Sequence, residues 1–139
     1  MRQNIVVGSL LGVVLAAGAV PVQAAGPAKM NAAIPFEFTA GDKEFRKGNC
    51  AFDMTMAKKV SIKCSRASTV VQARNLPFLG SVFKDPPRHD MIFKRYGKEY
   101  FVSEVWIGHE GMELAKSEAE EELESNGVTA SSIKLTVKK

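Results

Sequence analysis

The chain has 139 residues, a formal net charge of +4 and two cysteines. That length favours one domain, and its scattered basic residues lack the dense Lys/Arg stripe with interleaved aromatics that a nucleic-acid surface needs. No Walker or Rossmann glycine run and no glycine-flanked nucleophilic serine occurs, which removes the common phosphate-cradle and hydrolase signatures.

Met1-Arg2 gives a short positive start, and the apolar run from Ile5 to Val20 is broken by Gly8, Gly12 and Gly18. Pro21-Val22-Gln23-Ala24 then supplies small residues suited to cleavage after Ala24. Residues 1–24 therefore read as a secretory signal peptide, too short and too interrupted for a good bilayer span, with an uncleaved anchor as the alternative. No cysteine follows the run closely, which argues against a lipoprotein anchor. Residues 25–139 are expected to form a single β-rich domain, periplasmic or secreted, with no further membrane span. Loss of Arg2 lowers the charge from +4 to +3. Residues 110–124 hold seven glutamates against Lys116 alone, so the remainder is distinctly basic. A solvated surface is the plain reading of that charge, and contact with an anionic surface the functional one.

In the exported part, Ala25 to Asn31 reads as a loose leader. Ile34, Phe36 and Phe38 alternate with polar or small residues as a first strand, with Pro35 placing it at an edge. Ala40 to Lys43 is a turn and Glu44 to Arg46 a short extended piece. From Asn49 to Arg66 the apolar positions alternate on both sides of a reversal at Ala57. Folding there pairs Met54 with Val60, Phe52 with Ile62 and Cys50 with Cys64, all on one face. Directly paired strand positions lie about 4.5–5.5 Å apart, within the reach of a disulfide, and export favours the oxidised state. Reduced buried thiols or a redox pair are the alternatives, although the spacing is not that of a C-x-x-C motif.

Thr69 to Arg74 is β-branched and alternating, which predicts another strand. Asn75 to Asp90 is broken by Pro77, Gly80, Pro86 and Pro87, with a short strand allowed over 80–84. Met91 to Ile107 predicts a second hairpin turning at Gly97-Lys98, with Tyr96 facing Glu99 and Phe93 facing Val102. Continued evenly, that register sets His89 opposite Trp106. It places Tyr100, Val102, Glu104 and Trp106 on one face and Phe101, Val105 and Ile107 on the other. Bulk on both faces predicts a central strand, and Glu104 then needs a cationic partner. Ser117 to Glu124 predicts the one helix, with a capping box of Ser117 and Glu120 and an end at Asn126-Gly127. Ala119 and Leu123 are its apolar positions, which places it on the surface. Ser132 to Val137 closes the chain as a strand with Ile133, Leu135 and Val137 inward. The expected fold is mainly β, a small antiparallel barrel or sandwich of about 7–8 strands with one short helix before the last strand.

The stretches IPFEFTAGDKEF with Gly48, FKRYGKEYFVSEVW and ELAKSEAEEEL occur in this order and cover much of residues 25–139. On them the chain resembles a family of small exported proteins, without assigned function, found in soil bacteria of the acidobacterial type. Arg46-Lys47-Gly48 stands where relatives often have proline-alanine-glycine, and Cys50 where they usually have an aromatic. The resemblance implies a bacterial exported β-rich domain. It implies no activity, cofactor or catalytic residue and does not extend to the disulfide.

Chemistry-bearing residues are few, and neither a catalytic residue nor a cofactor is expected. His89 and His109, flanked by Asp90 and Glu110, emerge at the same end of the second hairpin and are weak metal candidates; solvated loop residues are the default. The carboxylates from Glu118 to Glu124 read as a solvated helix face rather than a catalytic pair. Leu76, Phe78, Leu79, Val82 and Phe83 make the loop after the third long strand unusually apolar. Burial as a lid on the core is the expected state, and an exposed patch for a partner or ligand the functional alternative. Two functions follow. The first is a non-enzymatic envelope or secreted module that binds an unidentified protein or envelope partner. The second is a small-barrel carrier of an apolar ligand in a chamber lined by Phe52, Phe93, Val102 and Trp106.

Overall fold

The computed structural model describes residues 28–137, so the predicted signal peptide lies outside the described residues. Ten strands and one helix follow in order. They are β1 (Lys29–Ile34), β2 (Phe38–Ala40), β3 (Lys43–Phe45), β4 (Gly48–Asp53), β5 (Lys59–Cys64) and β6 (Ser68–Leu76). Then come β7 (Arg88–Tyr96), β8 (Glu99–Gly108), β9 (Glu110–Leu114), α1 (Glu118–Ser125) and β10 (Ala130–Thr136).

Of the predicted loose leader, residues 29–31 lie in a strand, while residues 25–27 fall outside the described residues. Met30, Ala32 and Ile34 alternate inward, and β1 pairs along β4 from Lys29↔Asp53 to Ile34↔Gly48. Pro35 has no N–H to donate, so the ladder stops there and the chain resumes as β2. The main path of the sheet runs β10-β7-β8-β9-β6-β5-β4-β1, with β2 and β3 beside it. A parallel bridge, Thr39↔Phe101, joins β2 to β8, so the sheet is mixed rather than purely antiparallel. Among the described residues its two ends, β10 and β1, each have a single strand partner, and the path is not closed into a barrel. The first half of β6 pairs with β5 and the second half with β9. A strand shared in this way lets the sheet fold back on itself as a sandwich.

The core fills that fold. Phe52, Val60 and Ile62 from one layer meet Met91, Phe93 and Val105 from the other, all fully buried in one cluster. The first hairpin has the predicted register, with Phe52↔Ile62 and Cys50↔Cys64, and a disulfide joins the two cysteines. Met54 is buried with them.

The second hairpin follows the predicted register only to Phe93↔Val102. A β-bulge then inserts Ser103, so Ile92 faces Glu104 and His89 faces Ile107 rather than Trp106. One extra residue reverses the alternation beyond it. Val102, Val105 and Ile107 therefore share the core face, while Trp106, though buried, stands outside the core cluster on the opposite side. The serine half of the predicted capping box is present: the Ser117 hydroxyl accepts from the Glu120 N–H at 3.1 Å, while the Glu120 carboxylate accepts from the Tyr96 hydroxyl. Beyond the helix, Gly127 takes a positive φ of 81° where the chain turns toward β10. Ile133, Leu135 and Val137 pack against the core as expected.

Candidate interaction loop

The connection between β6 and β7, residues 77–87, is the apolar loop singled out by its composition. It contains a tight turn and no strand. The Asp85 carboxylate accepts from the Ser81 N–H at 2.6 Å, and the Ser81 carbonyl accepts from the Asp85 N–H at 2.8 Å and the Lys84 N–H at 3.2 Å. The Ser81 hydroxyl accepts from the Phe83 N–H at 3.3 Å. Gly80 lies so close to this knot that a Cβ there would meet the Asp85 carboxylate and the Phe78 ring. The next turn of the molecule braces the loop from beneath: His109 Nε2 is 3.1 Å from the Asp85 carbonyl, to which it donates, and Phe78 packs edge-on against the His109 ring at 4.6 Å.

This frame holds the large side chains out of the core. Leu79 is 92% exposed, Phe83 95% and Val82 53%, while Leu76 and Phe78 are half-buried at the root. The expected lid is therefore not formed. Instead, polar groups of the turn bond one another and its apolar tip faces solvent.

The exit of the loop is anchored on the outer face of the second hairpin. Arg88 forms a bidentate ion pair with the buried Asp90, at 3.0 and 2.8 Å, and its guanidinium lies 4.0 Å from the centroid of the Trp106 ring. The Trp106 indole N–H donates to Glu104 at 2.9 Å, so Glu104 is matched by an indole and not by the cation expected for it. On β9, Gly111 sits opposite Trp106, and a Cβ there would come within 2.5 Å of the ring. The structure separates the four weak metal candidates by role. Asp90 is held by Arg88 and His109 by the loop; Glu110 is exposed and His89 half-buried. Among the described residues no three potential ligands come together.

The opposite end of the hairpin carries a second polar cluster, under α1. Glu120 is buried, contrary to the expectation that every helix carboxylate is solvated, whereas Ala119 is exposed. The Tyr96 hydroxyl reaches Glu120 at 2.8 Å and Glu124 at 3.1 Å, and Lys116 pairs with Glu124 at 2.8 Å. Burial, then the two carboxylates, push the Tyr96 phenol far above its usual range. Hydrogen bonds from Lys116 and Tyr96 lower the Glu124 carboxyl. An open cleft of about 670 Å³ beside this helix is lined by six acids, among them Asp42, Glu99 and Glu121, and by no basic residue.

The chain matches no family model, no curated protein and no solved structure. Fold and site together define a β-sandwich-type domain that presents a braced apolar loop at one end.

Proposed function

We propose that this protein is an exported, non-catalytic interaction module that engages its partner through the loop of residues 77–87. The near-complete exposure of Leu79 and Phe83 on an internally bonded turn carries this reading. Apolar side chains displayed in this way are costly in water and mark contact sites. Export is supported by the sequence of residues 1–24 and by the Cys50–Cys64 bridge, which persists in oxidising compartments. Kinship with the acidobacterial-type exported proteins belongs to the same reading and rests on the three stretches named above.

The carrier alternative draws no support from the interior. Phe52, Phe93 and Val102 pack together in the core, and Trp106, needed for the fourth wall, points to the other face. The test is a photo-crosslinking amino acid at Leu79 or Phe83 in cells making the exported protein, with Val70 as a control. Val70 is 53% exposed on the far layer of the sandwich. Adducts at the two loop positions and none at Val70 are expected. Equal labelling at all three, or none, sinks the proposal.

A further inference from the structure

We infer that strand β10 is a dimerisation edge, pairing antiparallel with β10 of a second copy of this chain about a two-fold axis at Ile133. This goes beyond the loop reading and does not depend on it.

Among the described residues β10 pairs with β7 alone. Along an antiparallel strand, residues bonded to the neighbour alternate with residues whose N–H and C=O point the other way. The Val137 N–H donates to the His89 carbonyl at 2.7 Å, which fixes the phase. Leu135, Ile133 and Ser131 therefore bond to β7, and Ser132, Lys134 and Thr136 turn their backbone groups to the free edge. Among the described residues no hydrogen bond reaches those groups. Sheet edges are commonly blunted by a proline, a bulge or an inward-pointing charge. β10 runs for 7 residues in unbroken register and has none of these. Its inward Ile133 and Leu135 pack on the core yet stay only half-buried. On β1, the other end strand, the inward Met30, Ala32 and Ile34 are already buried. A further strand beside β10 therefore covers apolar surface, and one beside β1 covers little.

Self-complementarity makes a second copy the fitting strand. With the axis at Ile133, every residue of β10 finds a partner: Ile133 faces its own counterpart, Ser132 faces Lys134, Ser131 faces Leu135 and Ala130 faces Thr136. Ser132 and Lys134, both with outward backbone groups, then exchange two hydrogen bonds, and the half-buried Ile133 side chains meet across the axis. Moving the axis to Lys134 sets two ammonium groups directly opposite, which is destabilising. Moving it to Ser132 leaves Leu135 and Thr136 beyond the end of the partner strand. Lys134, the one charge of β10, thus selects the register. The two copies run in opposite directions, and each β10 ends beside His89, where the loop of residues 77–87 joins β7. The loops therefore lie at opposite ends of the dimer, which on the loop reading lets it bridge two partners.

Sedimentation velocity of the signal-free protein, residues 25–139, over a range from low to high micromolar concentration decides the matter. One strand a side is small for a specific interface, so monomer and dimer should exchange within that range. The weight-average mass should climb from that of one chain toward that of two. Ser132→Lys sets like charges opposite at two places in the dimer and should weaken association about fivefold. Its melting temperature should not change, because Ser132 is exposed. Adding Lys134→Glu to that variant puts opposite charges across both places and should restore association. A wild type that stays monomeric throughout overturns the inference, and so does a dimer that Ser132→Lys leaves intact. Weakening without rescue by Lys134→Glu overturns the register. Leu79→Ser with Phe83→Ser should leave the dimer untouched; its loss there would move the interface to the loop and overturn the assignment to β10. Failure of the crosslinking experiment above would remove the loop reading and leave this dimer standing.

Discussion

Opening the Cys50–Cys64 bridge should lower the melting temperature by about 12 °C. The two cysteines are paired at the end of the β4–β5 ladder away from its turn, so the bond encloses the whole hairpin. Their sequence separation is 14, and a loop of that size removes about 3 kcal/mol of conformational freedom from the unfolded chain. In a domain of roughly a hundred residues, 1 kcal/mol shifts the midpoint by about 4 °C, which gives the figure above. Three kcal/mol is also a large part of the ~5–15 kcal/mol that holds such a domain together. Thermal melts by circular dichroism would compare the oxidised protein, the reduced protein and the Cys50→Ala/Cys64→Ala variant, with thiol state checked by intact mass. Reduction leaves Cys50 and its packing in place, while the alanines add a small loss of burial. Similar shifts in the two samples would therefore isolate the loop effect. A fall of less than about 3 °C in fully reduced protein would refute the argument that the bridge restrains the unfolded hairpin.

Two further changes probe the polar ends of the second hairpin. Gly111→Ala drives a methyl into the Trp106 ring, whose centroid is also 4.0 Å from the Arg88 guanidinium; overpacking of this kind costs about 1–3 kcal/mol and should appear as a lower melting temperature with a shifted Trp106 emission. Tyr96→Phe keeps the ring that packs edge-on against Phe101 but removes the donor to buried Glu120, at a cost of about 1–3 kcal/mol near neutral pH. The same variant carries a pH signature. Because the folded state raises the Tyr96 pKa from 10.0, it holds the phenolic proton more tightly than the unfolded chain. The associated stability is complete below about pH 10 and falls as pH rises beyond it. Denaturant midpoints between pH 8 and 11 should show a steeper alkaline decline in wild type than in Tyr96→Phe; parallel curves would remove Tyr96 as the cause.

What the sequence made legible was whatever a local period or a local cap encodes. Cys50, Phe52, Ile62 and Cys64 alternate without interruption, and only one reversal brings them all to one side. Gly97 supplies the positive φ of its turn, and Ser117 with Glu120 announces the helix start within four residues. The bulge had no such signal. Residues 100–107 are bulky on both faces, so the pattern reads equally well with or without an inserted Ser103. Strand β9 was hidden because Glu110, Gly111 and Glu113 look like the beginning of the acidic helix region, while its ladder depends on β6 and β8. The burial of Glu120 is equally non-local. Its burial depends on Tyr96, which lies 24 positions away in the chain. The exposure of the loop has no local signal either, because its apolar composition says nothing of the hydrogen bonds that Asp85 and Ser81 make within it.

The inserted Ser103 decides which side chains stand on each face of β8. Ahead of the bulge, Phe101 lies on the outer face and meets Tyr96 edge-on at 5.5 Å, beneath the end where α1 docks. An unbroken strand would turn Val105 and Ile107 out beside it and bring Glu104 and Trp106 into the core. The cost would be a buried carboxylate among Phe52, Phe93 and Met91. With the bulge, Val102, Val105 and Ile107 fill the core while Trp106 becomes the plate on which Arg88 rests. Arg88 is the first residue of β7 after the loop, so this contact fixes where the loop leaves the sheet. One extra residue thus sets Trp106 against Arg88 at the end of the strand that carries the apolar loop. The cluster around Trp106 is a consequence of that break in register, whereas the Tyr96 cluster lies ahead of it.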